Sequence, residues 1–183
     1  AGPEVQAFEE EFAAFTESQY AVCVNSGSSG LLLALKALHL GKGSKVLVCA
    51  AGFPATVTPI LHLGFEPVFV DAQLPSHNMD VEQAISLLTE QHRSESRIRA
   101  VVLAHTLGNP VDLVALQAVC DQRGIYLIED CCEAVGATSH GHPVGGLGDV
   151  GVFSFYPSHQ MTALGGGGMV VTNDETLCTR MRS

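Results

Sequence analysis

Polar residues that can carry out chemistry follow two short apolar segments of this sequence. The first segment, 151–155, contains Ser154 near its end, and Ser158-His159 follows across a Tyr-Pro turn. The second segment, 125–129, is followed directly by Asp130. A histidine exchanges protons near neutral pH, and a carboxylate can hold a protonated base. If both segments are strands of one open α/β sheet, their carboxyl ends predict an active site at one sheet edge.

A second candidate is a phosphate site at residues 25–29, Asn-Ser-Gly-Ser-Ser. These residues follow an apolar run, 20–24, and open a helix predicted to continue to Leu40. A helix N-terminus presents free N–H groups and the positive end of the helix dipole, which suit an anion. The hydroxyls of Ser28 and Ser29 add hydrogen-bond donors. An ordinary serine N-cap explains the same residues, so the sequence leaves both interpretations open.

The other candidates also have structural explanations. Asp130 could cap a turn or helix, and His105, which follows the apolar segment 99–104, is either a hydrogen-bonded structural residue or a neighbour of a ligand. A lone phenylalanine such as Phe53 usually belongs to the core, and paired cysteines such as Cys131-Cys132 are usually small buried hydrophobes. The four glycines that follow His159 let another backbone or a ligand approach closely.

Alternating strands and helices must position these residues. The predicted strands are 20–24, 45–49, 66–70, 99–104, 125–129, 151–155 and 169–172. The predicted helices are 3–15, 25–40, 53–63, 80–92 and 111–123, and another begins near Asp174. This alternation predicts a three-layer α/β/α sandwich around a mostly parallel, doubly wound sheet. The polar segment 92–97 is predicted to be a mobile loop.

Composition limits the function classes. The 183 residues, 46% of them hydrophobic, suit one domain or slightly more with a full core. Nineteen acidic against nine basic residues give a net charge of −10, which argues against a nucleic-acid partner or an anionic membrane surface. No segment predicts a membrane span or a signal peptide. Six cysteines without metal-ligand spacing predict no metal site and a cytoplasmic location.

The segment SFYPSHQMTALGGGG, 154–168, resembles the cofactor-lysine motif S-F-x-x-x-K of the DegT/DnrJ/EryC1/StrS sugar aminotransferases, which are fold-type I pyridoxal phosphate enzymes. His159 stands at the lysine position. One branch with this substitution is the pyridoxamine phosphate-dependent nucleotide-hexose 3-dehydrases. The segments AAGFPATVTPI, AHTLGNPVDL and IEDCCEAVG resemble the cytidine-diphosphate members of that branch. Members of this family usually have an acidic residue among these glycines, and this chain has Gly166 there. The resemblance covers nearly the whole chain.

The resemblance implies roles for the candidate residues. It places a phosphate cup on Ser26, Gly27 and Ser28, with a further contact from Ser154. It implies that Phe53 stacks on the pyridine ring of pyridoxamine or pyridoxal phosphate and that Asp130 holds the protonated ring nitrogen. It also implies that Glu133 orients the ring or contacts its phenolic edge, and that His105 lies near the cofactor or the sugar.

The resemblance further implies removal of the C3 hydroxyl from a 4-keto-6-deoxyhexose carried on a nucleotide diphosphate, in deoxysugar and O-antigen biosynthesis. His159 would be the general base at the cofactor C4′ atom, and it cannot form the covalent link that a lysine would. Three alternatives stay open at this point. They are an aminotransferase relative, a pyridoxamine-dependent dehydratase without iron, and an inactive cofactor-binding remnant.

Residues 1–183 are expected to be the large cofactor-binding domain of a longer protein that also has a smaller C-terminal domain. Cys132 matches a cysteine that helps to hold a two-iron two-sulfur cluster in the cytidine-diphosphate branch, and the other ligands would lie beyond residue 183. A cluster is therefore expected only in a longer protein. The resemblance also implies a homodimer and a reductase partner.

Overall fold

The computed structural model of this protein describes residues 2–90 and 97–183. Strands and helices alternate along the chain. The strands are β1 (Tyr20–Val24), β2 (Lys45–Cys49), β3 (Glu66–Val70), β4 (Ala72–Gln73), β5 (Asn78–Met79), β6 (Ile98–Ala104), β7 (Tyr126–Asp130), β8 (Thr138–Ser139), β9 (His142–Pro143), β10 (Val150–Ser154) and β11 (Gly168–Thr172). The helices are α1 (Pro3–Phe15), α2 (Gly27–Ala37), α3 (Pro54–His62), α4 (Val81–Glu90), α5 (Val114–Arg123) and α6 (Glu175–Arg182), and a 3₁₀ turn (Thr106–Gly108) follows β6.

Within the described residues, seven strands form one sheet in the order β1-β11-β10-β7-β6-β2-β3. The pairs β10–β7, β7–β6, β6–β2 and β2–β3 are parallel. Strand β11 runs antiparallel to both of its neighbours, β1 and β10. The remaining strands form the short hairpins β4–β5 and β8–β9, which the sequence did not predict. The prediction of a mostly parallel sheet is confirmed.

Helices cover both faces of this sheet, because successive residues of each strand point to opposite sides. Val46 and Val48 of β2 pack in the cluster that includes residues of α2, α3 and α6. Leu47, between them, packs on the opposite side with residues of α4 and α5. Helix α1 covers that second side at the other end of the sheet, where the rings of Phe12 and Phe153 meet edge to face with centroids 5.0 Å apart. The three-layer α/β/α sandwich is confirmed.

Two helices begin two or more residues later than predicted. Helix α2 begins at Gly27 and not at Asn25, because Ser26 is its N-cap with an extended backbone. Helix α5 begins at Val114 and not at Val111, whose N–H donates to the ring of His105. The predicted loop 92–97 lies, apart from Arg97, outside the described residues. In the ranges that the structure describes, no helix combines the length and apolar character needed to cross a membrane.

Strand pairing brings the polar segments to one edge of the sheet. Gly168, the first residue of β11, pairs with Val24 at the end of β1 and with Ser154 at the end of β10. Asp130, the last residue of β7, pairs with Ala104 at the end of β6. This carboxyl edge therefore gathers the predicted phosphate segment, the aspartate and the segment that leads to His159.

An ion pair between a buried glutamate and a partly exposed arginine joins the first and last helices to β1. Glu9 is 6% exposed, and its Oε1 accepts from the N–H of Cys23 at 2.7 Å. Arg182 donates through Nη2 to Glu9 Oε2 and to the carbonyl of Ala21, both at 2.7 Å. The hydrogen bond to Glu9 raises the pKa of the Arg182 guanidinium. The pair therefore fastens α1 and α6 to the edge strand β1.

Glu9→Gln should lower the free energy of unfolding by about 1–3 kcal/mol, because the substitution removes the negative charge of the carboxylate that accepts hydrogen bonds from Arg182 and the Cys23 amide. Chemical denaturation of the purified protein measures this difference. Glu10→Gln, on the exposed face of the same helix, is the matched control and should change stability by less than about 0.5 kcal/mol. Equal effects of the two substitutions would show that the ion pair of Glu9 with Arg182 contributes nothing specific to stability.

Candidate active site

A cavity of about 750 Å³ opens at the carboxyl edge of the sheet. The structure brings to this cavity all ten residues to which the resemblance assigns a role, which supports one shared site, whereas Asn25 and Ser29 of the predicted phosphate segment do not line it. The ten residues are Ser26, Gly27, Ser28, Phe53, His105, Asp130, Cys132, Glu133, Ser154 and His159. Thr56, Leu107 and Tyr156 also line the cavity, although no sequence pattern predicts them as site residues.

The first turn of α2 forms one wall. The Oγ of Ser26 accepts from the N–H of Ser29 at 3.1 Å, and the Ser26 hydroxyl donates to Ser29 Oγ at 3.1 Å. Ser26 is therefore an N-cap, as the structural interpretation predicted. The N–H groups of Gly27 and Ser28 lie in this first helical turn and have no partner within the helix. Capping and anion binding are compatible here, because they use different groups of the same turn.

Two glycines allow the backbone of this wall to pack closely. A Cβ atom on Gly27 would lie 2.7 Å from Cys132 Sγ and 2.8 Å from Ser154 Cβ. A Cβ atom on Gly168 would lie 2.7 Å from the carbonyl oxygen of Phe153 and 2.9 Å from the nitrogen of Gly27. A backbone cradle without side chains, at a helix N-terminus and beside serine hydroxyls, fits a phosphate group.

Asp130 lies on the cavity floor and is 7% exposed. Its Oδ2 accepts from the hydroxyl of Thr56 at 2.7 Å, and its Oδ1 accepts from the N–H of Cys132 at 3.2 Å. Both oxygens are thus held by neutral donors from different elements. No lysine or arginine lines the cavity in the described part of the chain. Asp130 is therefore placed to hold a cation supplied by a ligand, such as a protonated ring nitrogen.

Phe53 stands at the cavity mouth. It is the N-cap residue of α3 and its side chain is 75% exposed, so the alternative of a core phenylalanine does not hold. An exposed ring at a cavity rim can stack on a planar ligand. Phe53 and Asp130 therefore both line the same cavity.

Glu133 connects three loops around the cavity. Its Oε2 accepts from the N–H of Leu107 at 2.8 Å, and its carbonyl oxygen accepts from the side-chain amide of Gln160. Leu107 has φ of 55° and is 76% exposed, so this hydrogen bond stabilises a backbone conformation that is rare for leucine. Glu133 thereby links the turn after β6 to the loop that carries His159.

The two histidines of the site differ in their surroundings. His105 is fully buried, its Nδ1 accepts from the N–H of Val111 at 3.0 Å, and its Nε2 donates to Glu129 at 3.0 Å. Both ring nitrogens are occupied, which favours the structural interpretation of His105. His159 is half-buried, and neither of its ring nitrogens has a partner among residues 2–90 and 97–183. His159 is therefore the histidine of the site whose ring nitrogens are not occupied by other described groups.

A turn holds His159 at the cavity. Its N–H donates to the carbonyl of Tyr156 at 2.9 Å, and the rings of the two residues meet edge to face with centroids 6.3 Å apart. The loop returns to the sheet where Ala163 donates to the carbonyl of Phe155 at 3.0 Å. The imidazole is thus carried by a hydrogen-bonded turn that starts directly after β10.

Cys132 is a neutral thiol in these surroundings. Burial first, and then the Asp130 carboxylate, raise the pKa of this thiol well above its ordinary value. Within the described ranges, the one group of three potential metal-ligating side chains with ligand atoms within 4.8 Å of one another is His105, Glu129 and Cys131. Cys132 is not part of it, and the carboxylate of Glu129 already accepts three backbone N–H groups in addition to His105.

Comparison with known proteins places this site in a family. The profile of the DegT/DnrJ/EryC1/StrS aminotransferase family matches residues 1–183. The chain belongs to this family. A relative in Salmonella typhimurium, the lipopolysaccharide biosynthesis protein RfbH, is 41% identical over 93% of this chain and 39% of its own length. A dTDP-4-dehydro-2,6-dideoxy-D-glucose 3-dehydratase of Saccharopolyspora spinosa is 39% identical over 100% of this chain and 40% of its own length.

Solved structures of the family share the fold. An aminotransferase from Psychrobacter cryohalolentis superposes with a TM-score of 0.92 at 37% identity, covering 99% of this chain and 44% of that chain. Aminotransferases and 3-dehydratases are thus both similar to this protein. The chain spans about half the length, or less, of the curated relatives that it matches.

Proposed function

We propose that the whole protein is a pyridoxamine phosphate-dependent 3-dehydrase that acts on a nucleotide-linked 4-keto-6-deoxyhexose. The feature that carries this proposal is His159, which takes the place of the cofactor-binding lysine where residues 154–168 resemble the S-F-x-x-x-K motif of the family's aminotransferases. Residues 1–183 would be the cofactor-binding domain of this enzyme.

The lysines of the chain support the assignment. The sequence has three, Lys36, Lys42 and Lys45, and none of them lines the cavity. Lys36 lies in the last turn of α2, at the opposite end from the phosphate cradle, and Lys45 begins β2 at the amino edge of the sheet. A lysine that binds the cofactor covalently, which an aminotransferase of this type requires, is therefore missing from this site.

The chain's own residues fit the cofactor. The N–H groups of Gly27 and Ser28 would bind its phosphate, with the Ser154 hydroxyl nearby, and Phe53 would cover the ring face. Asp130 would accept a hydrogen bond from the ring nitrogen and keep it protonated. When bound, pyridoxamine phosphate supplies an amine for the C4 ketone of the sugar and a ring that accepts electrons.

His159 would take the proton from the cofactor C4′ atom. Loss of this proton would be matched by loss of the C3 hydroxyl, which would leave as hydroxide with the electron pair of its own C–O bond, while the electrons of the C–H bond would stay in the conjugated system of cofactor and sugar. A histidine suits this step because its proton affinity matches a neutral working pH. Its rigid turn would hold the imidazole close to one face of the ring.

Treatment of the full-length protein with pyridoxal phosphate and borohydride should leave no cofactor adduct, because no lysine among the described residues lines the cavity. Intact-mass and peptide mass spectrometry detect such an adduct. His159→Lys is the matched positive control and should acquire one at position 159. A reduced adduct on any residue of the wild-type protein would favour the second candidate function, a sugar-nucleotide aminotransferase, which the family's many aminotransferases support.

The remaining expectations depend on parts of the protein outside residues 1–183. We propose that the whole enzyme is a homodimer, and that a reductase partner and a two-iron two-sulfur cluster are needed only if later cysteines join Cys132. A nucleotide sugar would be its substrate. Iron and sulfide analysis of the full-length protein would decide whether a cluster is present.

A further inference from the structure

Thr56 makes a hydrogen bond that its position on a helix does not require. It lies in the first turn of α3, is 6% exposed, and donates its hydroxyl to Asp130 Oδ2 at 2.7 Å. Threonine hydroxyls on helices usually bond to a carbonyl of the preceding turn. Thr58, two residues later, does so by donating to the Pro54 carbonyl at 2.8 Å. Thr56 instead reaches a carboxylate on β7, at the floor of the cavity.

This bond connects the two side chains that would hold the cofactor ring. The N–H of Thr56 donates to the carbonyl of Phe53 at 3.0 Å, so the same turn carries the stacking ring and the hydroxyl. A carboxylate has about four acceptor sites, and here Thr56 and the Cys132 amide occupy one on each oxygen. The hydroxyl therefore sets the rotation of the carboxylate while other acceptor sites stay open to the cavity.

We propose that Thr56 is a positioning residue for Asp130. Its hydroxyl fixes the carboxylate at the orientation that meets a protonated pyridine nitrogen, and it compensates for burial of the negative charge. Affinity for the cofactor ring would therefore depend on a hydroxyl that acts through Asp130. This inference rests on the proposed function, because it assumes that the ring lies between Phe53 and Asp130.

Two substitutions of Thr56 distinguish a positioning role of its hydroxyl from a role in packing. Thr56→Val keeps the shape and removes the hydroxyl, whereas Thr56→Ser keeps the hydroxyl and removes the methyl group. Titration of the full-length protein with pyridoxamine 5′-phosphate should show a dissociation constant raised roughly 10-fold to 100-fold by Thr56→Val. Thr56→Ser should stay within about 3-fold of wild type, and Thr58→Val, which removes a hydroxyl from the same helix, within about 2-fold.

Two further measurements sharpen the test. The absorption spectrum of the bound cofactor reports protonation of the ring. The pH at which this spectrum changes should differ from that of the wild type in Thr56→Val and should be the same as that of the wild type in Thr56→Ser. In the Asp130→Asn protein, Thr56→Val should weaken cofactor binding much less than it does in the wild-type protein, because both substitutions act on one contact. If Thr56→Val does not fold, Thr56→Ala should show the same loss of affinity.

The possible results are distinct. The positioning role would be overturned if Thr56→Val bound the cofactor with wild-type affinity. It would also be overturned if Thr56→Ser bound the cofactor weakly while Thr56→Val bound it normally. Either result would leave the proposed function standing. Failure of the wild-type full-length protein to bind pyridoxamine phosphate would overturn the proposed function itself.

Discussion

Replacing His159 with asparagine should slow loss of the C3 hydroxyl by roughly two to four orders of magnitude, while the affinity for pyridoxamine phosphate stays nearly unchanged. Asparagine is similar in size and can donate a hydrogen bond, but it cannot take up a proton. The phosphate cradle and Asp130, which would hold the cofactor, belong to other elements and should be undisturbed. Exchange of the C4′ proton with solvent, measured with the full-length protein and a 4-keto-6-deoxyhexose nucleotide, follows the affected step directly.

His62→Asn is the matched control, because His62 is exposed in the last turn of α3 and does not line the cavity. It should leave both exchange and dehydration at the wild-type rate. If His159→Asn still exchanged the C4′ proton at that rate, another residue would be the base. His105 is the other histidine of the site, but it would first have to give up its bonds to Val111 or Glu129.

Gly168→Ala should weaken phosphate binding strongly and lower the free energy of unfolding by about 1–3 kcal/mol. The added methyl group would lie within 3.0 Å of the Phe153 carbonyl oxygen, the Ser26 carbonyl carbon and the Gly27 nitrogen, all of which are backbone atoms. Relief of this overlap must move the first turn of α2 away from β11. Titration with inorganic phosphate and pyridoxamine phosphate, together with thermal unfolding, measures both effects.

Gly165→Ala provides the control within the same run of glycines. A Cβ atom there has nothing within 4 Å, and Gly165 does not line the cavity. Binding and stability should therefore remain within error of wild type. Equal losses from both substitutions would mean that flexibility of the whole run, and not the close approach at Gly168, is what the site requires.

The fold class follows from the sequence alone. Apolar strands that alternate with amphipathic helices can bury their side chains only as a sheet covered on both faces, and the structure has this arrangement. The position of the site also follows, because every parallel strand that ends in a polar residue ends at the same edge. For this reason Ser154, Asp130 and His105, selected as strand-end residues, meet at one cavity.

Contacts between segments distant in sequence could not be predicted, because no local pattern encodes them. The sequence does not show which of four glycines packs against the cradle, and only the pairing of β11 with β1 and β10 identifies Gly168. Thr56 and Asp130 are 74 residues apart, and their hydrogen bond exists because α3 and β7 meet at the sheet edge. The sequence likewise offered both histidines as candidates. Their partners distinguish them, because the fold buries His105 between Val111 and Glu129 and leaves the ring of His159 beside the cavity.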